Sequence, residues 1–144
     1  MYNNILYPID IYEKESWLNS LPIVTEYAVS FEATVHIMTA IPDYGMALVS
    51  QYFPKSAVDK VIENTKEELH KFVEDKFNNS QVNIGNIIVK KGGSVYQSII
   101  DVAEKIDADL ILVSAHRPEL KDYLLGPNAA KVVRHSKRSV LVMR

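Results

Sequence analysis

The chain of 144 residues contains no cysteine, which excludes disulfides, thiolate metal sites and cysteine nucleophiles. Glycine is scarce, at five residues, and the adjacent pair in Gly92-Gly93-Ser94 lacks the Gly-Lys-Ser/Thr ending of a P-loop. Neither sign of charge is in excess. With a formal net charge of −2, the chain as a whole offers no case for nucleic acid or a membrane surface, so anion recognition must be local. No apolar run approaches a membrane span. The opening MYNNILYPID reads as a strand, without the basic start and long apolar stretch of a signal peptide. A cytoplasmic protein is the expectation. The four histidines show no metal-ligand spacing, and no resident metal site is expected.

What is present is ordinary for one globular domain spanning residues 1–144: 47% apolar and 24% charged residues. Apolar strand-like runs alternate with segments of helical period. Ile5–Ile9 reads as a first strand ending in Asp10, and Trp17–Phe31 as a helix with Pro22 in its first turn. Val35–Ala40 is the second strand. Ser56 is the expected N-cap of a long helix whose apolar face holds Val58, Val61, Ile62, Thr65, Leu69, Phe72 and Val73. Val82–Lys90 is the third strand, and Ser94 caps a helix with Val95, Ile99, Val102, Ala103 and Ile106 inward. Leu110–Val113, Asn128–His135 and Val140–Met143 complete the series. Strict alternation of strand and helix requires crossover connections, which predicts an α/β fold: an open five-stranded parallel sheet with helices on both faces.

In such a sheet ligands sit outside the carboxyl ends of the strands, where strand order reverses. The residues delivered there are Pro8, Ile9 and Asp10 from the first strand, Thr39, Ala40 and Ile41 from the second, and Ser114, Ala115, His116 and Arg117 from the fourth. Gly126, Pro127 and Asn128 open the last helix, whose N–H groups and dipole favour a phosphate. His116 and Arg117 would add positive charge and a planar donor fork. Asp10 is placed to accept from a hydroxyl or an amine. Together they describe a mononucleotide site. Blander readings stand beside this one: Gly126-Pro127 as a plain helix start, Asp10 as an acceptor for N–H groups of its own loop, His36 as a packed strand residue, and His70 as an exposed one. Tyr44, Tyr52 and Phe53 read first as a cover for the long helix and second as a flap over a base.

The stretch SAHRPELKDYLLGPNAAKVVRHSKRSVLVMR, the opening ILYPIDI and the segment VKKGGSVYQSII resemble the universal stress protein superfamily over essentially the whole chain, and its F-type branch of small bacterial members in particular. That resemblance implies a Rossmann-like, adenine nucleotide alpha hydrolase-like fold, with ATP (or ADP or AMP, with Mg2+ accompanying the nucleotide) held by a G-x2-G-x9-G-[S/T] loop. It also implies a homodimer formed through the last strand, Ser139 to Arg144. The sequence departs from the loop pattern. Ser114 stands in place of the first glycine, Arg117 of the second, as in the F-type branch, and Pro127 in place of the hydroxyl residue. Pro127 removes one N–H and one hydroxyl, each a charge-assisted hydrogen bond worth about 1.5–3 kcal/mol. The chain reads as a nucleotide-binding regulator, with a nucleotide-free dimeric module as the alternative. Only Asp10 and Asp43 lie near the mouth as carboxylates, too few for efficient phosphoryl transfer. An adenylating enzyme would carry a pyrophosphate loop where Asp10-Ile11-Tyr12-Glu13 stands, and a receiver domain would end its third strand in Asp rather than Lys90-Lys91.

Overall fold

The structure is a computed structural model that describes residues 1–42, 51–52, 54–115 and 126–144. Its strands β1 (Asn4–Pro8), β2 (Thr34–Ile41), β3 (Asn83–Lys91), β4 (Leu110–Ser114) and β5 (Ser139–Met143) form one sheet in the order β3-β2-β1-β4-β5. Every pairing is parallel. Among the described residues the helices longer than one turn are α1 (Leu21–Phe31), α2 (Lys55–Phe77), α3 (Val95–Lys105) and α4 (Pro127–His135). The α/β architecture is therefore as the alternation of periods predicts. The chain steps outward from β1 to β2 and β3, then α3 carries it back over the sheet to β4, so strand order reverses beside β1.

Strand alternation supplies both faces of the core. Ile5, Tyr7, Val35, Ile37, Leu110 and Leu112 pack with Val24 and Ala28 of α1 and Leu69, Val73 and Phe77 of α2. Leu6, Met38, Ile111 and Val113 pack with Ile99, Val102 and Ala103 of α3 and Ala129 and Val132 of α4. Each central strand is thus apolar on both sides, the mark of a parallel sheet covered on both faces. Tyr7 is wholly buried, and its hydroxyl pairs with Ser20 Oγ at 2.7 Å. Burial pushes the phenol up to about 12, with the Ser20 hydrogen bond acting weakly the other way.

Several boundaries differ from the sequence reading, for local reasons. The first helix starts at Leu21, after a single 3-10 turn at Lys14–Ser16, rather than at Trp17. Pro22 does lie in its first turn. The long helix starts at Lys55 with Pro54 as its N-cap. Pro54 has the extended conformation of a cap, and its carbonyl accepts from Ala57 N at 2.9 Å, which leaves Ser56 inside the first turn. The buried face of α2 runs through Ile62, Thr65, Leu69, Val73 and Phe77, and Val61 faces out. Ser94 occupies the N-cap of α3 but makes no capping hydrogen bond with its hydroxyl. The turn before it needs left-handed backbone at Gly92 and Gly93, with φ of 92° and 64°.

One irregularity breaks the ladder. Between Val35 and Ile37 the register of β2 against β3 shifts, so that Gly85 and Asn86 together face His36. His36 fills the gap. Its Nδ1 accepts from Asn86 N–H at 2.9 Å, and its Nε2 lies 3.3 Å from Asn4 Oδ1. Because Nδ1 must accept, the ring is neutral with its proton on Nε2. His36 is thus a packed strand residue, and His70 is exposed on α2.

Candidate functional site

At the carboxyl edge, beside the strand reversal, lies a cleft of about 220 Å³. Its wall contains Pro8, Ile9, Asp10, Thr39, Ala40, Ser114 and Asn128, seven of the residues expected from the sequence. β1 and β2 bring the first five together through in-register pairing that ends at Pro8 opposite Met38, and Ile9 N extends it to Met38 O at 2.9 Å. Ser114 closes β4 opposite Met143. Four other expected residues are described but do not line the cleft. Ile41 gives its carbonyl to Gly92 N at 2.9 Å, and Ala115 donates its N–H to Met143 O at 2.7 Å. Gly126 is the N-cap of α4 and Pro127 its first residue. His116 and Arg117 lie outside the described residues, as do Asp43, Tyr44 and Phe53. Tyr52 is 71% exposed and so covers no helix.

The start of α4 supplies donors. Pro127 has no N–H, and the first intrahelical bond runs from Ala130 N to Gly126 O at 3.0 Å. Asn128 and Ala129 N–H groups in the first turn have no acceptor among the described residues, and both residues line the cleft. Their positions at a helix start favour an anion. Thr39 is 6% exposed, and its hydroxyl has no hydrogen-bond partner among the described residues. Met38, Val95, Ile99, Val113 and Ala129 make the rest of the wall apolar. An apolar slot with a few convergent polar groups is the usual form of a small-molecule site.

Asp10 is more committed to its own loop than its place in the sequence suggests. Its Oδ1 accepts from Tyr12 N at 3.0 Å, an Asx turn. Ser16 Oγ donates to Asp10 O at 2.9 Å and accepts from Asp10 N at 3.1 Å. Oδ2 has no hydrogen bond among the described residues and remains available. The Tyr12 phenol is held above its ordinary range, first by hydrogen bonding to the Glu68 carboxylate and next by partial burial. Ser16, Met38, Pro42, Val95, Ile99, Val113 and Ala129 also line the cleft and are not among the site residues the sequence predicts. The helical period marked Val95 and Ile99 as inward, and their position in the first turns of a helix starting at the sheet's carboxyl edge was the available signal.

Larger concavities, of about 540 and 430 Å³, lie at the outer edge of β3. They have no helix start and no reversal of strand order beside them. The smaller cleft is the better candidate on chemistry.

The whole chain, residues 1–144, matches the family model described as the universal stress protein family. Universal stress protein G of Salmonella typhimurium is 27% identical over 100% of both chains. Among solved structures, universal stress protein UspA from Lactobacillus plantarum superposes with a TM-score of 0.73 at 20% identity, covering 99% of this chain and 98% of that one. A universal stress protein in complex with cAMP superposes with a TM-score of 0.64 at 21% identity, over 99% and 97% of the two chains. Fold, strand order and full-length family match agree: this chain belongs to the universal stress protein family.

Proposed function

We propose that the protein binds an adenine nucleotide, ATP first among them, in the cleft between β1, β2, β4 and the start of α4, and that it acts as a dimeric, cytoplasmic stress-response regulator rather than by turnover. The observation that carries this reading is the convergence of Pro8, Ile9, Asp10, Thr39, Ala40, Ser114 and Asn128 on one cleft at the strand reversal. The relative solved with cAMP supports the ligand class. At about 220 Å³ the cleft is smaller than the ~300–1,000 Å³ of sites that bury drug-sized ligands. The base and sugar therefore occupy the apolar slot, and the phosphates lie at its mouth against the N–H groups of Asn128 and Ala129. Asp10 Oδ2 accepts from the sugar. Asp10 is the single carboxylate of the cleft wall among the described residues, so Mg2+ arrives with the nucleotide and is held chiefly by phosphate oxygens.

The test is mass spectrometry of small molecules released from freshly purified protein, followed by calorimetric titration with ATP-Mg, AMP and cAMP. Saturable binding that is weakened by Asn128→Pro, which removes a second donor, is the expected result. Absence of heat for all three ligands would sink the reading.

A second reading, a nucleotide-free dimeric module, draws on two observations. Pro127 removes a donor from the phosphate corner, and Tyr12 N occupies one oxygen of Asp10. Pro127→Ser separates the two. Restoring an N–H and a hydroxyl tightens ATP by about tenfold or more if phosphates dock there, since each such bond contributes about 1.5–3 kcal/mol. Unchanged titrations of the variant and the parent favour the module.

The dimer is proposed to form through β5. Ala115 N–H binds Met143 O, so Met143 faces β4 and strand alternation turns the backbone groups of Val140 and Val142 outward. That edge is short, regular and apolar, and a second copy is its natural cover.

A further inference from the structure

The outer edge of β3 carries a feature that the nucleotide reading leaves unused. Asn86 N–H points to His36, and Gly92 N–H points to Ile41 O, both towards β2. These residues are an even number of positions apart along one strand. Alternation therefore turns Ile88 and Lys90 the same way and sends the N–H and C=O groups of Ile87, Val89 and Lys91 outward. From Ile87 to Lys91 the pairing with Ile37–Ile41 is in unbroken register, so this half of the strand presents a straight, unpaired ladder among the described residues. A concavity flanks it on each face of the sheet. On the α3 side one of about 540 Å³ is lined by Ile88, Lys90, Asp101, Val102 and Lys105. On the α2 side one of about 430 Å³ is lined by Ile62, Lys66, Val89 and Lys91, with Asp59 and Glu63.

We infer that this edge takes up a short extended peptide from a partner protein, added as a sixth strand, with apolar residues opposite Ile87–Val89 and acidic residues opposite Lys90 and Lys91. An added strand projects alternate side chains to the two faces, and a hollow is present on each. Charge selects the occupant. Lys90, Lys91 and Lys105 have no ion pair among the described residues, whereas Asp101 accepts from Gln97 at 2.9 Å and Glu63 from Lys66 at 3.4 Å. Asp59 on the α2 side and Asp101 on the α3 side remain as opposing charges, outnumbered by Lys90, Lys91 and Lys105. Lysines on a free edge repel another basic edge and protect against self-pairing. The same lysines attract carboxylates. The β-bulge at Gly85 and Asn86 limits the docking length to the five regular residues beyond it.

The probe is an acetylated pentapeptide, two glutamates followed by valine, isoleucine and valine, titrated into the 15N-labelled full chain without nucleotide. In antiparallel alignment its glutamates fall opposite Lys91 and Lys90. Saturable amide shifts centred on Ile87–Lys91, with slowed hydrogen exchange at Ile87, Val89 and Lys91, are expected. Val89→Pro removes one outward N–H and no bond to β2, so it abolishes these effects while leaving the remaining spectrum intact. Lys90→Glu with Lys91→Glu weakens the peptide about tenfold or more, as two exposed charge pairs turn repulsive. The proposal is overturned if the peptide causes no saturable shift, or if a peptide with lysines in place of the glutamates binds equally well. It is also overturned if sedimentation shows self-association that Val89→Pro removes, which would make a second copy the occupant.

Discussion

The two free edges of the sheet are built differently. β5 has five residues in unbroken register with β4, from Leu110 opposite Ser139 to Ser114 opposite Met143, and it is apolar from Val140 to Met143. β3 has nine residues, an irregularity at Gly85 and Asn86, and two lysines at its end. A bulge twists an edge away from a straight partner, and edge lysines oppose a like-charged one. The regular, apolar edge of β5 has neither defence among the described residues. The contrast supports β5, rather than β3, as the edge proposed to pair with a second copy of the chain. If the proposed dimer pairs through β5 alone, it closes into a twofold assembly without polymerising through β3.

The largest effect expected is on β5. Val142→Pro removes an outward N–H from each copy and leaves the bonds to β4 in place. Two ladder bonds lost per dimer, each worth about 0.5–1.5 kcal/mol, weaken association by about ten- to a hundredfold. Sedimentation equilibrium across micromolar concentrations reads this directly. Val89→Pro, the matched change at β3, leaves the oligomeric state as it is. Equal behaviour of the two variants would erase the distinction between the edges.

Much of this was legible in the sequence, because period alone separates strands from helices and alternation of the two forces parallel pairing. The core residues follow from the same periods. Seven cleft residues were legible for a topological reason: six sit at strand ends beside the reversal of order, and Asn128 opens the helix beside them. What escaped depends on register between distant segments. Nothing near His36 in the chain announces that it faces Gly85 and Asn86, which are some fifty positions away. Ser16 hydrogen-bonds the Asp10 backbone only because the chain makes a 3-10 turn at Lys14–Ser16, just before the predicted helix start at Trp17. Pro54, not Ser56, is the cap because its carbonyl accepts from Ala57 N, which starts the helix at Lys55 and places Ser56 in the first turn.

The bulge that distinguishes β3 can be stressed sterically. A Cβ on Gly85 would stand 2.5 Å from His36 Cε1, 2.6 Å from its Nδ1 and 2.7 Å from Thr34 Cγ2. The imidazole is pinned by its bonds to Asn86 N and Asn4 Oδ1, so it cannot simply swing aside. Gly85→Ala is expected to destabilise the fold by about 1–3 kcal/mol, the usual cost of overpacking. Denaturant unfolding with an unchanged m-value measures it. A paired change, Gly85→Ala with His36→Ala, relieves the clash, and the two costs then add to less than their sum. Strict additivity would mean that the histidine and the glycine do not share the site as described.

The smallest effect is a pH dependence at the same pin. Burial lowers the His36 pKa from its ordinary 6.5. The direction agrees with the geometry, since Nδ1 accepts from Asn86 N–H and a proton there would set two donors face to face. The unfolded chain takes up its proton near 6.5, whereas the native ring resists until lower pH. Stability from this residue is therefore complete above about pH 6.5, falls as the pH drops below that value, and levels off once the pH is below the native pKa. His36→Gln offers a neutral acceptor in its place and removes the titration. Between pH 7.5 and 5.5 the parent protein should lose more stability than the variant in matched denaturant melts, with the difference appearing below 6.5. Parallel curves would show that the ring is not held neutral in the native state, and that the β3 irregularity is fixed by backbone shape alone.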